Sequence, residues 1–227
     1  MSVMTLSETE LGLPADRPLT VEDLEHTPDD GRRYELVDGR LDVSSAPAQP
    51  HTRAETRLTW LLATVAPDEF EVQSGPGVTF NAKRTHHRIP DVAVKRSEPL
   101  EVPHLTRPPL LAVEVVSPES ILRDHHTKKR EYANFGVQAY WLITPSLDKP
   151  DIIEFRLEDG EFIEVRQAVG SDVFETDFPF PVRIVPEWLV ADGDWRAGIG
   201  GPEADGSEPR DGGEAAEDGP GGAEGDQ

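Results

Sequence analysis

Three residues of this 227-residue chain carry chemistry that their surroundings do not excuse: Asp91, Glu114 and Lys128. Glu114 lies in residues 110–120, LLAVEVVSPES. Read as a strand, Leu111, Val113 and Val115 face one way and Ala112, Glu114 and Val116 the other. Both faces are otherwise apolar, the pattern of a strand covered on both sides. A carboxylate there is costly unless a cation, hydrogen bonds or a proton compensates it. Asp91 stands at the mouth of a second short strand, in RIPDVAVKR at 88–96, directly after Pro90. Lys128 comes from the helix expected just after Pro118. At about 100° per residue with Ile121 as zero, His125 falls near 40°, Lys128 near 340°, Tyr132 near 20° and Phe135 near 320°. Lys128 therefore shares the apolar face, Lys129 lies about 100° from it, and Arg130 points the opposite way. An inward lysine is as expensive as an inward glutamate, so the two are expected to share a site.

Carboxylate oxygens, a backbone carbonyl and water are the hard ligands that Mg²⁺ or Mn²⁺ prefers. Such a cation polarises a phosphoryl oxygen and lowers the pKa of bound water. The lysine can orient that water or neutralise charge developing on the phosphate. Spacing alone leaves a second reading open, a buried Glu114–Lys128 ion pair with Asp91 capping a turn. Two carboxylates held close together repel, which is expected to raise at least one pKa.

Further candidates stand beside simpler explanations. His51 opens a helix whose inward residues are Ala54, Leu58, Leu61 and Val65; it shares their face, as a site residue or as a core or capping histidine. Glu35 is an outer ligand or a strand-edge surface residue. Asp124 precedes Lys128 by four residues, which suits a helix-stabilising pair. The pairs His86-His87 and His125-His126 lack conventional zinc spacing, since adjacent histidines diverge. Ser117 has no G-x-S-x-G elbow around it. The segments KRTHHR (83–88), KR (95–96) and KKR (128–130) form either a local phosphate-contacting rim or ordinary solvated surface.

The elements that position these residues follow from local pattern. TVEDLEHT marks a short helix capped by Thr20. RRYELVDGRLDV is a hairpin turning at Asp38-Gly39. A helix runs from about Pro50 to Val65, with proline in its first turn. Strands are expected near 70–73, 77–80, 89–94 and 110–116, a helix at about 120–136, then strands AYWLI, DIIEFRL and EFIEVRQ. Mixed strands with two longer helices indicate an α/β fold, a sheet covered by helices with hairpins at its margins. Residues 1–17 are expected to form a flexible N-terminus and 18–192 the folded domain. Residues 193–227, rich in Gly, Pro and acids, are expected to be a disordered tail, dispensable for folding from about 197 onward. QAYWLI and the later hairpins offer apolar edges through which a homodimer could form.

The formal net charge is −22. Residues 191–227 hold eleven acids and two arginines; the remaining body has 33 acids and 20 bases, or −13. A broad, non-specific nucleic-acid binder is thereby disfavoured, and a polyanion must meet local basic residues or metal ions. With no cysteine, disulfide scaffolds, thiol catalysis and cysteine-ligated zinc are excluded. No apolar run approaches the roughly 20 residues of a membrane span, and the N-terminus lacks a signal pattern. The expectation is a soluble cytoplasmic protein that makes no membrane contact.

With these residues in view, the chain resembles a known family. IPDVAV, then VEVVSPES about twenty residues on, then RDHHTKKREYANFGVQAYWLI, together with YELVDGRL and PAQPH, are similar to the Uma-two restriction-endonuclease family of the PD-(D/E)XK nuclease superfamily. The similarity covers roughly residues 20 to 190. It implies a restriction-endonuclease-like core, a mixed β-sheet flanked by α-helices with added β-hairpins. It also implies Mg²⁺- or Mn²⁺-dependent cleavage of phosphodiester bonds in nucleic acid, with DNA the expected substrate. Carried over by position, Asp91 and Glu114 become metal carboxylates, Val115 supplies a backbone carbonyl to the same metal, and His51 and Glu35 match recurrent family residues. The superfamily lysine belongs two residues after the glutamate, where this chain has Val116; Lys128 stands as its migrated replacement. The alternative is a catalytically silent nuclease-fold protein, an interaction module acting through its acidic surface.

Overall fold

A computed structural model describes residues 11–116 and 123–201, with only the backbone described at 123–125. Ser117 and Ile121, and the side chains of Asp124 and His125, lie outside the described residues.

The first hairpin pairs β1 (Arg33–Val37) with β2 (Arg40–Ser44). Its two turn residues, Asp38 and Gly39, both have positive φ, as the expected turn type demands. A Cβ on Gly39 would come within 2.5 Å of the Pro18 Cβ, so the close approach of the N-terminal segment adds a second reason for glycine. Helix α1 (Gln49–Val65) follows, with Pro50 in its first turn. Then come β3 (Phe70–Ser74), β4 (Val78–Thr79), β5 (His87–Arg88), β6 (Val92–Arg96) and β7 (Leu111–Val115). A π-type segment, Arg123–Lys128, leads into α2 (Lys129–Phe135), which ends at Gly136 in the left-handed conformation. After it run β8 (Ala139–Thr144), β9 (Asp151–Glu158), β10 (Glu161–Val169), β11 (Phe174–Thr176) and β12 (Val182–Ile184). Two single-turn helices, α3 (Glu187–Val190) and α4 (Trp195–Gly198), complete the described chain.

The main sheet has the order β10-β9-β8-β7-β6-β3, and its β7–β8 pair is parallel. A smaller sheet has the order β2-β1-β5-β4. Alternation along β7 divides the core as the pattern requires. Leu111, Val113 and Val115 pack with Ala54, Leu58, Leu61 and Leu62 of α1. Ala112 and Val116 pack on the other face with Tyr132 and Ala133 of α2, Tyr140 and Phe155. Val65, expected inward, ends α1 and is exposed, while Leu62 takes the inward place.

Three differences from the sequence expectations have physical causes. The strand expected near 89–94 begins only at Val92 and runs to Arg96, and a separate two-residue strand, β5, precedes it at His87–Arg88. Pro90 lacks an N–H to donate, and here the chain leaves the small sheet after Arg88 and enters the main sheet at Val92. The ordered body also extends past both expected boundaries. Leu13 is buried with Leu19, Val21 and Leu36. Beyond residue 192, Trp195 packs edge-on against Trp60 of α1, with ring centroids 5.1 Å apart. Ile199 is buried in the main core, and its carbonyl accepts the Val185 N–H at 2.8 Å. Trp195 and Ile199 therefore pack on the body beyond the boundary expected at 192.

Candidate active site

Asp91 sits where the chain crosses between the sheets, a position fixed by Pro90 before it and β6 after it. Its carboxylate is nearly inaccessible, at 1% exposure. Oδ2 accepts the Val115 N–H at 2.6 Å. Oδ1 lies 3.1 Å from His51 Nε2 and accepts a short hydrogen bond from the Arg33 guanidinium. The second turn of α1 adds Glu55, whose Oε2 is 3.7 Å from His51 Nε2 and 3.5 Å from Arg33. His51 and Glu55 stand four residues apart and share a helical face. Ligand atoms of His51, Glu55 and Asp91 all lie within 4.8 Å of one another.

On the other face of β7, Glu114 is buried against the segment leading into α2. Lys128 Nζ donates to both of its oxygens at 3.0 Å, and the Tyr132 hydroxyl donates to Oε1 at 2.9 Å. Burial and the Glu114 charge push the Tyr132 phenol well above its ordinary pKa, so it remains a neutral donor. Lys128 also lies 3.3 Å from Glu35. Lys129 points elsewhere, its ammonium 3.6 Å from the centre of the Phe155 ring. The separation of these adjacent lysines survives the wider π-type turn that precedes them.

Glu35 is buried, not a surface residue. It accepts the Ile89 N–H at 2.7 Å and an Arg88 bond at 3.0 Å. Burial alone would raise its pKa, but Lys128, Arg88 and the Ile89 amide outweigh that and hold it lowered. Arg88 in turn meets Asp42 and Glu131, each at 2.7 Å. One ionic network therefore links β1, β5, β7 and the α2 region beneath the site.

Asp91 keeps its charge in spite of its burial. Burial opposes its charge, but His51, Arg33 and the Val115 amide hold the pKa below the ordinary value. Val115 meets Asp91 through its N–H. Much of the foreseen basic rim is already engaged. Arg88 is buried in the network, Arg84 pairs with Glu22 at 2.9 Å, and Lys95 pairs with Glu71 at 2.6 Å. His86 stacks on Phe80, while His87 is buried beside Thr79 and His104, so the adjacent histidines diverge. Arg33 and Glu55 were missed by the sequence reading. Both had a signal: Glu55 follows His51 by one helical repeat, and Arg33 precedes Glu35 by one strand repeat.

The donor set suits a divalent cation. Carboxylate oxygens fit Mg²⁺ or Mn²⁺, and the imidazole favours Mn²⁺ of the two.

Comparison with known proteins agrees with this architecture. A crystal structure described as a putative nuclease belonging to DUF820, from Anabaena variabilis, superposes with a TM-score of 0.54 at 16% sequence identity. The match covers 70% of this chain and 89% of that one, and at such identity it speaks for the fold, which is restriction-endonuclease-like. No curated protein matches the chain. Residues 21–191 match the family described as "Uma2: Putative restriction endonuclease". That match spans the sheets, α1, α2 and every candidate residue named above, and the chain belongs to the Uma2 family.

Proposed function

We propose that the protein is a divalent-metal-dependent endonuclease that hydrolyses phosphodiester bonds of nucleic acid, with DNA the favoured substrate. One observation carries the reading: His51, Glu55 and Asp91 converge at the mouth of β6, beside a strand whose buried Glu114 holds Lys128. His51, Glu55 and Asp91 are the residues that would hold Mg²⁺ or Mn²⁺, with Glu114 the further carboxylate of the site. Bound there, the cation would polarise a phosphoryl oxygen and acidify a water.

The chain's own groups supply the rest. Asp91 is kept ionised, and its orientation is locked by the Val115 amide. Lys128 is fixed between Glu114 and Glu35, a charged donor suited to orienting a water or meeting charge that develops on phosphate. Tyr132 holds Glu114 in place, and Glu35 with Arg88 anchors the lysine from beneath. Lys128 is thus catalytic in this scheme, while Glu35, Tyr132 and Arg88 position it.

A second reading draws on the same contacts. Glu114, Lys128 and Tyr132 make a satisfied buried cluster that a catalytically silent interaction module would also retain, with the −13 body as its contact surface. A cleavage assay separates the two, using single- and double-stranded DNA and RNA with Mg²⁺, Mn²⁺ or chelator. The expected result is metal-dependent internal cleavage that is lost in Glu114→Gln and Lys128→Met. No cleavage of any substrate in either metal would favour the silent module.

A further inference from the structure

We propose that Arg33 is an internal cation holding the place of the divalent metal, released when metal enters and then available to grip a phosphate of the substrate strand. This rests on the nuclease reading above. The observation is one of shared lone pairs. Arg33 bonds Oδ1 of Asp91 and lies 3.5 Å from Oε2 of Glu55. Those are the same two oxygens that face His51 Nε2, at 3.1 and 3.7 Å. The other Asp91 oxygen is tied to the Val115 amide. A cation ligated by His51, Glu55 and Asp91 would therefore compete with the guanidinium for the same electron pairs.

The geometry also suits a release. Asp91 is 1% exposed, whereas the Arg33 side chain is 24% exposed, so the arginine and not the carboxylate reaches solvent. Its backbone is pinned in β1, paired to β2, so a freed side chain swings over the site without leaving it. Nearby cations have other engagements: Lys128 with Glu114 and Glu35, Arg88 with Glu35, Asp42 and Glu131. A planar guanidinium offers the paired donors that match two phosphate oxygens. On a body of charge −13, one positive group at the mouth of the site has a large local effect.

The test compares wild type with Arg33→Met by Mn²⁺ calorimetry and by binding of an uncleavable phosphorothioate DNA duplex in Mn²⁺. Removing the competitor should tighten Mn²⁺ binding about tenfold and weaken duplex binding by about tenfold. Unchanged or weaker Mn²⁺ affinity in the variant, or duplex affinity equal to wild type, overturns the proposal while leaving the nuclease reading standing. Mn²⁺ binding to neither protein removes the nuclease reading and this proposal with it. Should Arg33→Met fail to fold, the wild type decides the matter by NMR. Titration with diamagnetic Mg²⁺ should shift the Arg33 Nε–Hε resonance and speed its exchange with water. A resonance unmoved at saturating Mg²⁺ contradicts the release.

Discussion

At the residue scale, Glu114 is tolerated inside the sheet because an ammonium and a phenol meet its oxygens. The partners are not equivalent. Lys128→Met would leave Glu114 and Glu35 buried without their shared cation, and chemical denaturation should show a loss of about 3–5 kcal/mol. Glu114→Gln leaves Lys128 with Glu35 at 3.3 Å, so about 1–3 kcal/mol is expected there. Two other groups, the buried His87 and the half-buried Glu131, set acid sensitivity. Burial, with His104 beside it, lowers the His87 pKa from 6.5 to about 4. The unfolded chain therefore takes up a proton that the folded one refuses. Stability should fall as pH drops from 6.5 to about 4, by up to about 3 kcal/mol. Burial opposes the charge of Glu131, but His86 and Arg88 hold its pKa at about 2, below the usual 4.5. Its contribution is present above pH 4.5 and is lost between there and about 2. Denaturation of wild type and His87→Asn across this range should show the variant losing only the upper phase.

At the element scale, what was legible in the sequence was whatever a single period could express. The two faces of β7, the inward side of Lys128 and the Asp38-Gly39 turn all follow from local pattern, because burial selects side chains strand by strand and turn by turn. Where positions depended on chain crossing, pattern failed. Nothing local shows that the chain changes sheets across Ile89–Asp91, or that Arg33 from the small sheet reaches a carboxylate belonging to the main one, 58 residues away. Arg88 looked like a surface cation because its partners come from β1, β2 and α2. The packing of Ile199 was hidden by the Gly- and acid-rich sequence that follows it. Gly39 offers a sharp check on the first hairpin. Its φ of +80° and its contact with Pro18 mean that Gly39→Ala should cost about 1–2 kcal/mol from backbone strain alone, more once the clash is added. A Tm unchanged by that substitution would show that the N-terminal segment does not pack there.

At the scale of the whole molecule, the acidic charge is arranged so that cations are drawn inward. Arg33, Arg88 and Lys128 all lie against carboxylates at or beneath one site, while the body carries −13. The boundaries of that body can be tested by truncation. A chain ending at residue 196 loses the buried Ile199 and should be destabilised by about 2–4 kcal/mol, whereas one ending at 201 should keep the wild-type Tm. Family and fold make the chain a nuclease relative, and its catalytic competence turns on whether the His51–Glu55–Asp91 cluster takes a metal. Calorimetric titration of Mn²⁺ into wild type and Asp91→Asn addresses that most directly. The expected result is saturable binding in the wild type and its loss in Asp91→Asn, with both proteins folded. Equal binding by the two, or none by the wild type, would contradict the account.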